Sequence, residues 1–408
     1  MGNNTSQTMS IKYWPVTRNF IYPESVLLQD KEDVGIAVSG GGVRAAVLAI
    51  GWLQVFHELG YLSKVKYVSS ISGGSWTSAP MSNYDGDMDT FLGKIIPPEE
   101  CSIERLYDFA NQDGSHAKLM TDVRFNISMI SEYLKKLIFS PLSLITHNDD
   151  GEDFWAESVE SCFFKPHNIT TTNMGGLTHR NDIPYPIVNG SIVVGGRRKA
   201  IPVEFTPMYH GTPAPFDDID AVYVEPMGFK AVVQKGHISN LLPSNSIEGL
   251  SVSIQVNERI SALNCHEISG ISSSALAQEF SGITLMDGYL PHFFYDFFDF
   301  PEQQFFSNGY QRFVDGANTD NTGVLALIRR NCTKIAACLA NGNPIDGDDI
   351  TSEAANTMGS LAGLFGAQYN YMISTDANDA INEQRQVFET SKWDELVDAL
   401  RMKVKHGK

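Results

Sequence analysis

The chain has 408 residues and a formal net charge of −18, with 42% hydrophobic and 19% charged residues, the balance of an ordinary globular protein that can bury a sizeable core. So acidic a chain is a poor match for nucleic acid or for strongly anionic membranes, both of which need clustered Lys and Arg. No apolar stretch reaches the roughly 18 residues of a membrane span, and no secretory leader is expected, because the first apolar stretch is short and interrupted.

Residues 1–33 read as an N-terminal segment preceding a single domain over 34–408. The opening MGNNTS fits the pattern for myristoylation of Gly2, and one acyl chain would give only weak, reversible attachment to a membrane. VGIAV (34–38) is a short β-branched run and predicts a buried strand, ending at Ser39-Gly40-Gly41-Gly42. Residues 43–59 carry Ala45, Leu48, Trp52, Val55, Phe56 and Leu59 at helical spacing, with Gly60 as the C-terminal stop. Val43, Val47 and Ile50 fall on another face, so this helix is expected to be buried within the domain. VKYVSSI (65–71) is a second strand. Strand, helix and strand of this length make a βαβ unit, hence a parallel sheet covered by helices.

That second strand runs into Ser72-Gly73-Gly74, which predicts a sharp strand-to-helix turn exposing the Ser72 hydroxyl, or else a plain Ser/Gly-rich loop. Upstream, the three glycines after the first strand leave N–H groups unshielded for an anion such as the oxyanion of acyl transfer. Gly40, Gly42 and Ala45 also satisfy a dinucleotide-binding pattern. That reading wants an acidic residue at the end of the second strand, where Ser-Ile-Ser-Gly-Gly stands instead. Arg44 is either a phosphate-pairing cation or a helix-surface arginine. Residues 80–185 are irregular and polar and read as helices and loops inserted over the sheet.

Strand-like runs return at PIVNGSIVVGG, AIPVEFTP and AVYVEP. HFFYDFFDFPEQQFF (292–306) is an aromatic segment, either a lid or lipid-entry surface or a core segment. QRFVD leads into Asp315-Gly316-Ala317, another strand-end turn, where a carboxylate would accept the Ser72 proton or would simply form an Asp-Gly turn. His210 in MYHGTP is the alternative base. The chain closes in a helix with lysines in its last turns. The five cysteines are odd in number and contain no C-x-x-C pair, which suggests buried thiols in a reducing, cytoplasmic compartment and no zinc site.

The segments SGGGVRAA, SISGGSW and FVDGANTDN, with PVEFTPMYHG and EISGISSSALAQEF in the same order, resemble the catalytic domain of cytosolic phospholipase A and fungal phospholipase B (lysophospholipase), relatives of the patatin lipases. The resemblance runs from about residue 34 to 330. It implies a three-layer α/β/α fold with a mainly parallel sheet and a cap from residues 80–185. It implies hydrolysis of acyl esters in phospholipids or lysophospholipids at a membrane surface, with Ser72 as nucleophile and Asp315 as its dyad partner. Gly41 and Gly42 become the oxyanion donors and Arg44 the phosphate-facing cation. No cofactor, metal or obligate protein partner is implied. Ala317 and the polar NTDNTG depart from the family's glycine- and proline-marked turn, and MYHG from its acidic-aromatic pair. The altered turn after Asp315 motivates the alternative, a non-catalytic lipid-binding relative of the same fold.

Overall fold

A computed structural model describes residues 7–121, 154–169, 180–194, 199–214, 221–229, 246–256, 262–274, 292–294, 310–340, 359–366 and 386–405. Its strands are β1 (Gln7–Pro15), β2 (Glu32–Val38), β3 (Val65–Ile71), β4 (Tyr185–Val194), β5 (Lys199–Phe205), β6 (His210–Gly211), β7 (Val222–Val224), β8 (Leu250–Val256), β9 (His292–Phe294), β10 (Tyr310–Asp315) and β11 (Lys334–Cys338). The helices are α1 (Gly42–Glu58), α2 (Ser75–Asn83), α3 (Met88–Leu92), α4 (Ile103–Ala110), α5 (His116–Thr121), α6 (Phe154–Val159), α7 (Pro226–Phe229), α8 (Cys265–Ser272), α9 (Val324–Arg329), α10 (Gly359–Ala362) and α11 (Ser391–Lys405). No described helix is long and apolar enough to cross a membrane.

The strands form one mixed sheet in the order β11-β2-β3-β4-β5-β6-β7-β1-β8. The parallel arrangement expected from the βαβ unit holds for β11, β2, β3 and β4. From β5 outward every pairing is antiparallel, so the mainly parallel description applies only to β11, β2, β3 and β4. The physical reason is connection length. β4 to β7 are joined by short links, too short for the crossover a parallel neighbour requires. The N-terminal β1 lies inside this wing, between β7 and β8.

Alternation along the parallel strands buries both sheet faces. Ile36, Val38 and Val68 point toward Ala49 and Leu53 of α1 and Met81 of α2. Ala37, Tyr67, Tyr185 and Ile187 point the other way, onto Leu325 and Leu327 of α9 and Trp393 and Val397 of α11. Helices therefore cover the sheet on both sides, with each fully buried large apolar side chain contributing about 1.5–3 kcal/mol. α1 is less enclosed than its sequence suggests: Val47, Leu48 and Val55 are exposed, because only one face of the helix meets the sheet. Of the described helices between 88 and 167, α3 and α5 pack on α1 and α6 packs on α8; Gln54 of α1, for example, donates to the carbonyls of Leu92 and Gly93. The expectation of buried thiols holds for Cys265 and Cys338, whereas Cys101 is exposed in the loop before α4. Gly2 and residues 295–306 lie outside the described residues.

Candidate active site

The site forms where two strands meet end to end. β3 runs parallel to β4 and stops with Ile71 opposite Asn189. β10 runs antiparallel to β4 along the same edge and stops with Asp315 opposite Gly190. The carboxyl ends of β3 and β10 thus point at each other, which brings residues 72 and 315 together. The close packing behind them requires Gly190, since a Cβ there would stand 2.8 Å from Ile271 Cγ2.

At the end of β3 the chain turns sharply into a 3-10 turn, Ser72–Gly74, and then α2. Ser72 has φ +50°, a left-handed conformation that costs a non-glycine residue roughly 1–3 kcal/mol and persists only where its surroundings enforce it. Its hydroxyl donates to Asp315 Oδ2 at 2.8 Å, and both side chains are buried. Asp315 Oδ1 accepts the Ala317 N–H at 2.8 Å, as the cap of the following turn. The sequence departure at Ala317 therefore supplies a backbone donor and leaves the turn intact. Burial pushes the Asp315 carboxyl up to about 7, against the lowering effect of the Ala317 N–H and the Ser72 hydroxyl. A carboxylate of that strength, hydrogen-bonded to a serine hydroxyl, can remove its proton near neutral pH.

The glycine loop wraps the same point. A Cβ at Gly40 would lie 3.1 Å from Ser72 Cβ, and one at Gly73 would run into the Gly42 carbonyl. Gly41 and Gly42 have φ of +141° and +61°, which only glycine adopts readily, and Gly42 opens α1. Gly41 carries no side-chain cap, so the N–H groups at this helix start are not covered by one. Arg44 is exposed on the first turn of α1.

Further polar groups hold the turn that sequence reasoning did not single out. Ser272 Oγ accepts the Ser72 N–H at 2.9 Å and donates to the Asn189 carbonyl at 2.6 Å. Ser75 donates to the Ser72 carbonyl at 2.7 Å and lies 2.8 Å from the Ser269 hydroxyl. Asn189 ties β3 down by donating to Ser69 Oγ and the Ser70 carbonyl, both at 3.0 Å. The signal for Ser269 and Ser272 was present in EISGISSS, where they stand one helical turn apart after the capping box Asn264/Glu267. Their distance of about two hundred residues from Ser72 hid it.

His210 and His116 are placed elsewhere. His210 is fully buried beside Phe205 and Phe229, its Nδ1 donates to the Tyr209 carbonyl at 3.0 Å, and burial pushes it down to about 3. His116 answers a local need in α2. Pro80 has no N–H for the Trp76 carbonyl one turn back, and His116 Nε2 donates to that carbonyl at 2.9 Å. Its Nδ1 then accepts from His167 at 2.9 Å, an arrangement of neutral rings that burial enforces by lowering His116 well below the usual histidine range.

No family model matches the chain. In sequence it is 26% identical over 221 residues to human cytosolic phospholipase A2 gamma, covering 52% of this chain and 35% of that protein. It is 23% identical over 166 residues to lysophospholipase 1 of Candida albicans, covering 36% of this chain and 27% of that protein. The matches span 35% and 27% of the lengths of these two curated relatives. Human GIVD cytosolic phospholipase A2 aligns in structure with a TM-score of 0.45 at 15% identity, over 94% of this chain and 65% of that one. The sequence matches make this chain a distant relative of the cytosolic phospholipase A and lysophospholipase proteins, at low identity and over part of its length.

Proposed function

We propose that the protein hydrolyses acyl esters of phospholipids or lysophospholipids at a lipid surface, with Ser72 as nucleophile and Asp315 as base. The observation that carries this reading is the 2.8 Å hydrogen bond from Ser72 Oγ to Asp315 Oδ2 at a left-handed strand-to-helix turn. Ser72 Oγ adds to the ester carbonyl carbon while its proton passes to Asp315. The carbonyl π pair moves onto oxygen, and the N–H groups of Gly41 and Gly42 hold that oxyanion. When the tetrahedral intermediate collapses, the departing alkoxide takes the proton from Asp315. Water then attacks the acyl-Ser72, gives its proton to Asp315, and releases the fatty acid as the proton returns to Ser72. Every step uses side chains and amides of this chain.

The alternative is a non-catalytic lipid binder, motivated by the altered turn after Asp315; the Ala317 N–H bond to Asp315 supports the hydrolase reading at that turn. The test is covalent labelling by an alkyl fluorophosphonate beside turnover of phosphatidylcholine and lysophosphatidylcholine. Wild type should be labelled at Ser72 and release fatty acid. Ser72→Ala and Asp315→Asn should each lose turnover by ~10³-fold or more while still folding and melting cooperatively. Labelling away from Ser72, or full turnover by Ser72→Ala, would remove the reading.

A further inference from the structure

We infer that Ser272 of α8 is a positioning residue that keeps Ser72 in its reactive conformation, an inference that rests on the hydrolase reading above. A serine hydroxyl has one hydrogen to give and two lone pairs to receive. Ser272 gives its hydrogen to the Asn189 carbonyl and so receives the Ser72 N–H. On the other side of residue 72, Ser75 gives its hydrogen to the Ser72 carbonyl. The remaining contact between Ser75 and Ser269 must then run from the Ser269 hydroxyl to Ser75. One face of α8 therefore fixes both backbone groups of Ser72, the N–H through Ser272 and the C=O through Ser269 and Ser75.

The backbone at Ser72 needs such a hold. With φ at +50° it sits in a region that an unconstrained serine leaves, and leaving it swings Oγ away from Asp315. Ser272 also joins the turn to the residue that sets the opposing strand end: Asn189 pairs with Ile71 across the sheet, and its neighbour Gly190 pairs with Asp315. One hydroxyl thereby references nucleophile and base to the same pair of residues on β4. A second consequence follows from the same bond. The Ser72 N–H is directed inward at Ser272, so it does not face the oxyanion, and that task falls to the glycine loop.

The experiment compares purified wild type with Ser272→Ala, Ser272→Thr, Ser272→Cys and Ser274→Ala. The readouts are the rate of fluorophosphonate labelling at Ser72 by intact mass, kcat and KM on phosphatidylcholine mixed micelles, and the thermal midpoint. Ser272→Ala should be labelled about tenfold more slowly, the equivalent of ~1.4 kcal/mol, with kcat reduced alike and KM unchanged. Ser272→Thr restores the hydroxyl and should recover most of the rate. Should Ser272→Ala not fold, Ser272→Cys keeps the volume with only a weak donor and acceptor and should show the same slowing. Ser274, whose hydroxyl bonds the Ile271 carbonyl at the same helix end, should behave as wild type when changed to Ala. Wild-type labelling by Ser272→Ala or Ser272→Cys, or equal slowing by Ser274→Ala, would overturn the positioning role and leave the hydrolase reading standing. A wild type with neither labelling nor turnover would overturn both.

Discussion

Asp315 is 2% exposed, and burial raises its carboxyl from the ordinary 3.8 to about 7. As a base it works only when ionised. The value of kcat/KM should therefore rise with pH through a midpoint near 7 and level off above it; a flat profile from pH 5 to 9 would exclude this carboxylate as the base. The same shift acts on stability with the opposite sign. Because the folded-state value lies above the unfolded one, the native protein holds a proton that the unfolded chain has released. Stability should then fall as pH rises from about 4 to about 7. Asp315→Asn removes that cost while keeping an acceptor for the Ala317 N–H and a partner for Ser72. Calorimetry at pH 8 should find it more stable than wild type by about 2–4 kcal/mol, with the gap closing toward pH 4. Arg44 belongs to this scale too. A charge-assisted bond to a substrate phosphate is worth about 1.5–3 kcal/mol. Arg44→Ala should cut phospholipid turnover roughly 10- to 150-fold and spare a small neutral ester. Equal losses on both substrates would make it a structural residue of the loop.

Two glycines, Gly73 in the strand-to-helix turn and Gly51 in α1, respond to a side chain in opposite ways. At Gly73 a Cβ would fall on the Gly42 carbonyl, and backbone cannot step aside as a side-chain tip can. Gly73→Ala should separate the glycine loop from Ser72, costing about 1–3 kcal/mol of stability and more than tenfold in turnover. At Gly51, in the exposed middle of α1, a Cβ meets nothing within 4 Å. Gly51→Ala should therefore stabilise the fold by about 0.5–1 kcal/mol and leave turnover unchanged. Denaturant titration of the two variants tests both signs at once. The elements themselves were legible from residue pattern. β3 ends at Ile71 and β10 at Asp315 because β-branched and aromatic runs stop at Ser-Gly-Gly and Asp-Gly, and Gly60, with φ +67°, ends α1. The antiparallel wing was not legible, since the strand-like runs at β4, β5 and β7 carry no mark of direction.

At the scale of the whole molecule, the N-terminal segment, the antiparallel wing and the end of α9 are joined through one buried cation. Arg330 pairs with Glu24 at 3.0 Å and Glu204 at 2.8 Å, and all three side chains are fully buried. The Tyr209 hydroxyl donates to Glu24, the Tyr223 hydroxyl donates to Glu204 at 2.8 Å, and the guanidinium lies 4.2 Å from the Tyr22 ring centre. Arg330→Met would leave the buried Glu24 without its cation and Glu204 with Arg329 alone at 3.2 Å, and should cost about 3–5 kcal/mol. Adding Glu24→Gln and Glu204→Gln should recover part of the loss. Failure of the single variant to lower the thermal midpoint would mean that water reaches these carboxylates.

What the sequence determined by itself is local: where a strand stops, where the backbone must be small, and which residue type stands at each stop. Those choices depend on a few neighbouring φ/ψ preferences and on apolar spacing, so Ser72, Asp315, Gly41 and Gly42 were readable as separate turn residues. The meeting of Ser72 and Asp315 depended on β4, whose two halves pair with β3 and β10 along one edge, and no local preference encodes which strand ends abut. Nor does sequence spacing reveal that a hydroxyl at residue 272 receives the N–H of residue 72, because a hydrogen bond between distant segments exists only after packing has removed water from both. The raised Asp315 carboxyl has the same origin: its residue type was written in the chain, and its strength as a base was set by burial.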